Sequence, residues 1–244
     1  MCRFKSGIIL KDRVFIPDYD SHENMLKELK IEDTEDNAKR LFVRAELVPP
    51  NDDVFAPVSE WKYHVDQDIL PDWYVAEVDE QRTREAVAEW AKEHIHVGEK
   101  IEKINSGTHW IKDCEVERIY GSAKIEAIYG SAKIGDICGS AKIEAIYGSA
   151  KIGDIYGSAE IGDIYGSAEI GAIYDSAEIG AIYGSAKIRA ICGSATVITS
   201  KNVVWKNKKS VCIKDEAVLI DRYNKKIYHS GAFETVIAGG QKDE

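Results

Sequence analysis

From Ile119 to Thr199 the chain reads as nine successive copies of one nine-residue phrase. The first copy is Ile-Tyr-Gly-Ser-Ala-Lys-Ile-Glu-Ala, and the phrase restarts at Ile128, Ile137, Ile146, Ile155, Ile164, Ile173, Ile182 and Ile191. A fixed period implies stacked units that share one core. Apolar residues fall at the first, fifth and seventh positions, as in Ile119, Ala123 and Ile125, with Lys124 between the last two. That alternation is the mark of a half-buried strand. Gly121-Ser122 supplies one bend, and Glu126-Ala127 or Gly135-Asp136 a second. A helix is disfavoured by glycine and β-branched isoleucine recurring in every copy. The fold class is therefore mainly β: a parallel β-solenoid, or β-helix, of nonapeptide repeats.

Nine residues at roughly 3.3 Å each make too short a loop to enclose side chains. Two units per coil, about 18 residues, is the geometry expected by analogy with other short-repeat solenoids. Coils stacked about 4.8 Å apart then align residues two units apart into ladders. Tyr129, Tyr147, Tyr165 and Tyr183 form one such ladder, and Tyr120, Cys138 and Tyr156 belong to another. The sixth position aligns Lys133, Lys151, Glu169 and Lys187 on one face, and Lys124, Lys142, Glu160 and Glu178 on the other. Aromatic stacking of this kind stabilises a coil by itself; it also offers a binding surface. Tyr129, Tyr147, Tyr165 and Tyr183, with Lys133, Lys151 and Glu169, are candidate binding-surface residues, and so are Asp66, Asp68 and Asp72 of the leader. A calcium-loaded β-roll is not expected, because the Gly-Gly-x-Gly-x-Asp signature is missing and Asp136, Asp154 and Asp163 recur irregularly.

The formal charge is −10. Residues 1–118 carry 17 Lys and Arg against 27 Asp and Glu, whereas residues 200–244 carry 9 against 6. An acidic front argues against binding nucleic-acid phosphates directly. It suits a protein partner whose own surface is basic. The five cysteines, Cys2, Cys114, Cys138, Cys192 and Cys212, are odd in number and contain no CxxC. Neither a disulfide framework nor a zinc knuckle follows, and a reducing, cytoplasmic setting is expected. No apolar run approaches the length of a membrane span.

Residues 1–97 are non-repetitive and read as an α+β cap domain. Gly7–Leu10 and Arg13–Ile16 flank Lys11-Asp12 as a hairpin. Ser21 is placed to cap a short helix through Met25, Leu26 and Leu29. Leu41–Leu47 and Trp61–Val65 read as strands, and Asp79 as the cap of a helix to about His96 with Val87, Trp90, Ala91 and His94 on one face. Residues 98–199 form the solenoid, with degenerate entry coils at Ile101–Ile104 and Val116–Ile119. Residues 200–244 read as a β-hairpin cap and tail. Its arms would be Val203–Trp205 with Ser210–Ile213, and Ala217–Ile220 with Lys226–Tyr228.

Candidate chemistry is sparse. Cys2 behind Met1 would become an N-terminal nucleophile if Met1 were removed. Asp66, Asp68 and Asp72 form an acidic cluster, best explained as a solvated loop. His94 and His96 lie two residues apart and share no helix face, so no metal site is expected. No phosphate loop, GxSxG or HExxH occurs, and no cofactor is expected.

Met1-Cys2-Arg3-Phe4, Arg44-Ala45-Glu46 and Glu60-Trp61 resemble short words of the SRAP proteins, which crosslink abasic DNA through such a cysteine; the Met-Cys-Gly-Arg spelling of that family is broken here. Over most of its length the chain resembles uncharacterised proteins of bacterial and phage genomes. They share a Met-Cys-Arg-Phe-Lys-Ser-Gly leader, a segment like Val65–Tyr74, and Tyr-Gly-Ser-Ala repeats. That resemblance implies a setting, with no established activity. The reading that follows is a non-enzymatic interaction protein that binds a protein partner, with inhibition of a host protein through an acidic surface as its expected mode. Self-association through solenoid faces and covalent chemistry at Cys2 are the alternatives.

Overall fold

The computed structural model describes residues 4–199, 212–222 and 225–229. Contacts divide the chain into two units, Met1–Ile95 and His96–Glu244.

The first unit is a four-stranded antiparallel sheet in the order β2-β1-β3-β4, where β1 is Lys5–Leu10, β2 Val14–Phe15, β3 Phe42–Val48 and β4 Lys62–Val65. The hairpin expected around Lys11-Asp12 forms, with Ile8 opposite Phe15. One sheet face carries Ile8 and Phe42, packed under Met25 and Leu26 of helix α1 (His22–Glu28) and Ala38 of α2 (Glu35–Ala38). Ser21 caps α1 as expected, accepting the Asn24 N–H at 3.3 Å. The other face, with Ile9, Val43 and Ala45, packs against Tyr63, Val65, Trp73 and Tyr74.

Helix α3 runs from Ala76 to His94 and buries Asp79, Thr83, Val87, Trp90 and His94. Two details correct the sequence reading. The helix starts three residues before Asp79, whose carboxylate reaches back to accept the Val75 N–H at 2.8 Å and also pairs with Arg82 at 2.6 Å. His96 lies in a strand, Ile95–Val97, beyond the helix end.

The second unit is a flattened parallel solenoid with two strands per coil. One sheet runs through Lys100–Ile104, Glu115–Ile119, Lys133–Ile137, Lys151–Ile155, Glu169–Ile173, Lys187–Ile191 and Cys212–Ile213. The other has nine strands, including Lys124–Tyr129, Lys142–Gly148, Glu160–Gly166, Glu178–Gly184 and Thr196–Thr199. Lys133 pairs with Lys151 and Ile143 with Ile161, so the coil is the two-unit turn that the repeat predicts. The first, fifth and seventh positions of every copy fill one continuous core. Most copies give this core two isoleucines and one alanine, the small residue standing directly after the bend of the narrow coil.

The entry coils pair as expected, Ile101 with Val116 and Ile104 with Ile119. The solenoid also continues beyond the last repeat. Cys212–Ile213 adds in parallel to Lys187–Ile191, and Val218–Asp221 adds in parallel to Thr196–Thr199. Lys226–His229 then folds back antiparallel, closing the expected second hairpin. Val203–Trp205 lies outside the described residues.

The third repeat position turns the chain through positive φ in every copy but that of Gly184, at Gly157 for example (+78°). Asp175 occupies one such position at φ +56°. Its carboxylate accepts the Gly157 N–H of the coil below at 2.9 Å, which offsets the cost of the left-handed backbone.

Candidate functional site

The tyrosine ladder is the most regular surface feature of the solenoid. Each ring sits at the end of a nine-stranded-sheet strand, just before the Gly-Ser turn. Tyr129, Tyr147, Tyr165 and Tyr183 stack face to face, with centroids 4.9, 5.1 and 5.0 Å apart. The rings are half-buried along most of the ladder, and Tyr183 at its end is 42% exposed. The Tyr165 hydroxyl donates to Asp163 at 2.9 Å, and that carboxylate pushes the phenol up to about 12. On the opposite edge cysteine interrupts the pattern: Tyr156 meets the Cys138 thiol, which raises its pKa.

Lys133, Lys151 and Glu169 open the strands that follow the same turns, so the structure brings them to the edge that carries the tyrosines. The charge columns are largely self-neutralised. Glu115 lies 2.6 Å from Lys133 and 3.3 Å from Lys100, and these two ammonium groups hold its carboxyl below the usual range. Lys187 lies 3.0 Å from Glu169, and Lys142 2.8 Å from Glu160. On the seven-stranded sheet an open depression of about 500 Å³ runs over Gly135 and Gly153, bounded by Glu115, Lys133 and Lys151. Salt screens such exposed pairs, so the aromatic edge is the part of this surface able to anchor a partner.

Asp66, Asp68 and Asp72 are all exposed, as a loop of solvated carboxylates would have them. The loop is held by Gln67. The Gln67 side chain accepts the Arg44 N–H at 2.8 Å and donates to the Ile69 carbonyl at 2.6 Å. Asp66 turns to a different group. Its carboxylate lies 3.3 Å from His22 Nδ1, and Glu46 completes a trio whose ligand-type atoms all fall within 4.8 Å of one another. Helix α1 delivers His22 one turn ahead of Met25 and Leu26, and β3 delivers Glu46. Burial, and then the charge of Asp66, raise the Glu46 pKa against the opposing pull of His22 and His64.

That direction has a stability consequence. A carboxyl whose folded pKa lies above 4.5 contributes stability below 4.5 and loses it as pH rises through the folded value. Glu46→Gln is therefore expected to raise the melting temperature at pH 7 in a chelating buffer, with the gain vanishing toward pH 4. A thermal melt at the two pH values checks this.

The other candidates sit apart. His94 stacks on Trp90 and meets Asp18 at 3.1 Å, whereas His96 contacts Glu99 at 2.7 Å and His109 at 3.1 Å. Cys2 lies outside the described residues. The described cysteines Cys114, Cys138 and Cys192 form no disulfide, and no described helix is long and apolar enough to cross a membrane. His22 lies in no motif, Glu46 was noted only within the word Arg44-Ala45-Glu46, and only the fold of the sheet brings the two to Asp66.

No protein-family model, curated protein or solved structure matches this chain.

Proposed function

We propose that this chain is a non-enzymatic interaction protein whose β-solenoid presents the Tyr129–Tyr183 edge to a protein partner. The observation that carries this reading is the ordered stack of four tyrosines beside the Gly-Ser turns. Stacked rings present a rigid amphipathic contact area, and tyrosine is enriched where protein surfaces meet. The excess of acid in residues 1–118 makes a basic protein surface the complementary one. Proteins that handle nucleic acid carry such surfaces, so occupation of a nucleic-acid site on a host protein is the mode this reading favours.

The test compares wild type with Tyr147→Ser/Tyr165→Ser and with Tyr147→Phe/Tyr165→Phe in affinity capture from bacterial lysate. A single stoichiometric, basic partner retained by the phenylalanine variant and lost by the serine variant supports the proposal. A melt of each variant controls for folding, since each lost stack costs about 0.5–1.5 kcal/mol. Capture unaffected by the serine variant would remove the tyrosine edge from the interface. Concentration-dependent self-association that both variants share would favour assembly through another face.

A further inference from the structure

We infer that His22, Glu46 and Asp66 form a binding site for one divalent transition-metal ion of the zinc type, in the N-terminal unit and separate from the solenoid surface. The first support is the histidine tautomer. His22 Nε2 lies 3.3 Å from the Ala45 carbonyl oxygen. A carbonyl can only accept, so Nε2 carries the proton in that contact. In the neutral imidazole the lone pair is then on Nδ1, the atom that faces Asp66 Oδ2 at 3.3 Å. A lone pair facing a carboxylate is repulsive unless a cation lies between them. A second proton on the ring would serve, and so would a metal ion. Backbone fixation of the other ring nitrogen is the usual support of a metal-binding histidine.

The spacing fits as well. Donor atoms around a tetrahedral zinc ion, with bonds of about 2.0–2.2 Å, lie roughly 3.3–3.5 Å apart. The His22–Asp66 pair already has that separation, and the ligand atoms of all three residues lie within 4.8 Å of one another. One imidazole and two carboxylates supply charge that balances a divalent ion and leave a coordination position for water.

A further observation points to a ligand at this spot. Ser6 is fully buried, and its hydroxyl has no hydrogen-bond partner among the described residues. Ser6 pairs with Glu46 across β1 and β3, so alternation puts both side chains on one sheet face. Buried hydroxyls are seldom left unsatisfied. A water on the ion, next to Glu46, would give the Ser6 hydroxyl its partner. His64, opposite Glu46 on β4, lies on the same rung at the solvent side. The His22 side chain is 11% exposed and Asp66 52%, so the trio sits at a rim that an ion can enter from solvent.

The test uses chelator-treated, full-length protein titrated with Zn²⁺ by calorimetry at pH 7, with Co²⁺ absorption as a second readout. One ion per chain is expected, with affinity lowered at least tenfold in each of His22→Gln, Glu46→Gln and Asp66→Asn, and unchanged in Asp68→Asn and Asp72→Asn. The Co²⁺ spectrum should lack the near-ultraviolet charge-transfer band of a thiolate ligand. Zn²⁺ should also raise the melting temperature of wild type more than that of Glu46→Gln. Absence of stoichiometric binding, a thiolate band at one ion per chain, or equal affinity in the three variants would each overturn the assignment. None of these outcomes bears on the tyrosine edge.

Discussion

Ile146→Asp is expected to unfold the central coils of the solenoid. Ile146 has no exposed surface and sits in the Lys142–Gly148 strand between Ile128 and Ile164, its register partners on either side. An aspartate there loses the apolar contacts of the isoleucine, worth about 2–5 kcal/mol by comparison with truncation to alanine. It also buries a polar group with nothing nearby to bond it. The carboxyl would take up a proton rather than stay charged, yet an unbonded buried polar group still costs roughly 2–7 kcal/mol. The sum is comparable with the total stability of a domain, about 5–15 kcal/mol. Each coil contacts only its neighbours, so the lesion splits the rod instead of spreading evenly. Hydrogen exchange should show protection lost across Lys124–Gly166, with a melting temperature lowered by tens of degrees or no cooperative melt. Ile146→Val, which removes one methylene at a cost of about 0.5–1.5 kcal/mol, is the matched control. An aspartate variant that melts within a few degrees of wild type would refute this account of the core.

Gly166→Val carries the second large effect, through the backbone. Gly166 has φ +107°, and a Cβ added there would lie 2.4 Å from the Gly148 carbonyl oxygen and 3.1 Å from the Gly148 nitrogen. Both atoms belong to the coil below, and that carbonyl accepts the Ser167 N–H at 2.9 Å. Relief of the clash would break the ladder, since no flexible side chain is available to move. Backbone strain and forced overpacking together cost roughly 2–6 kcal/mol. At about 2–4 °C per kcal/mol for a chain of this size, calorimetry should find the melt lowered by roughly 5–20 °C. The exposed neighbour Ser167, changed to alanine, is expected to stay within about 0.5 kcal/mol of wild type. A valine variant as stable as that control would mean that the turns do not stack as closely as described.

The glycine and isoleucine arguments share one origin in the sequence. Repetition at nine residues, read as two units per coil, already places Ile128, Ile146 and Ile164 in one column and Tyr129, Tyr147, Tyr165 and Tyr183 in another. Hydrophobic period and inter-strand spacing are local properties repeated many times, so small errors in any copy are averaged away. Asp175 shows the limit of that reasoning. As a sequence variant it looks like a broken glycine turn, and the structure shows a carboxylate that bonds the coil below. The start of α3 was misplaced for a similar reason: Val75 and Ala76 carry no capping signal, and the cap comes from Asp79, further along the chain and folded back.

By itself the amino-acid sequence determined that this protein is a two-strand-per-coil β-solenoid with a leading α+β unit, because periodic patterning is a one-dimensional property. The tertiary structure decided which charges pair, that Cys212–Ile213 and Val218–Asp221 extend the solenoid sheets, and that His22, Glu46 and Asp66 meet. Those outcomes depend on contacts between segments far apart in the chain, and such contacts form only once the strands have found their neighbours.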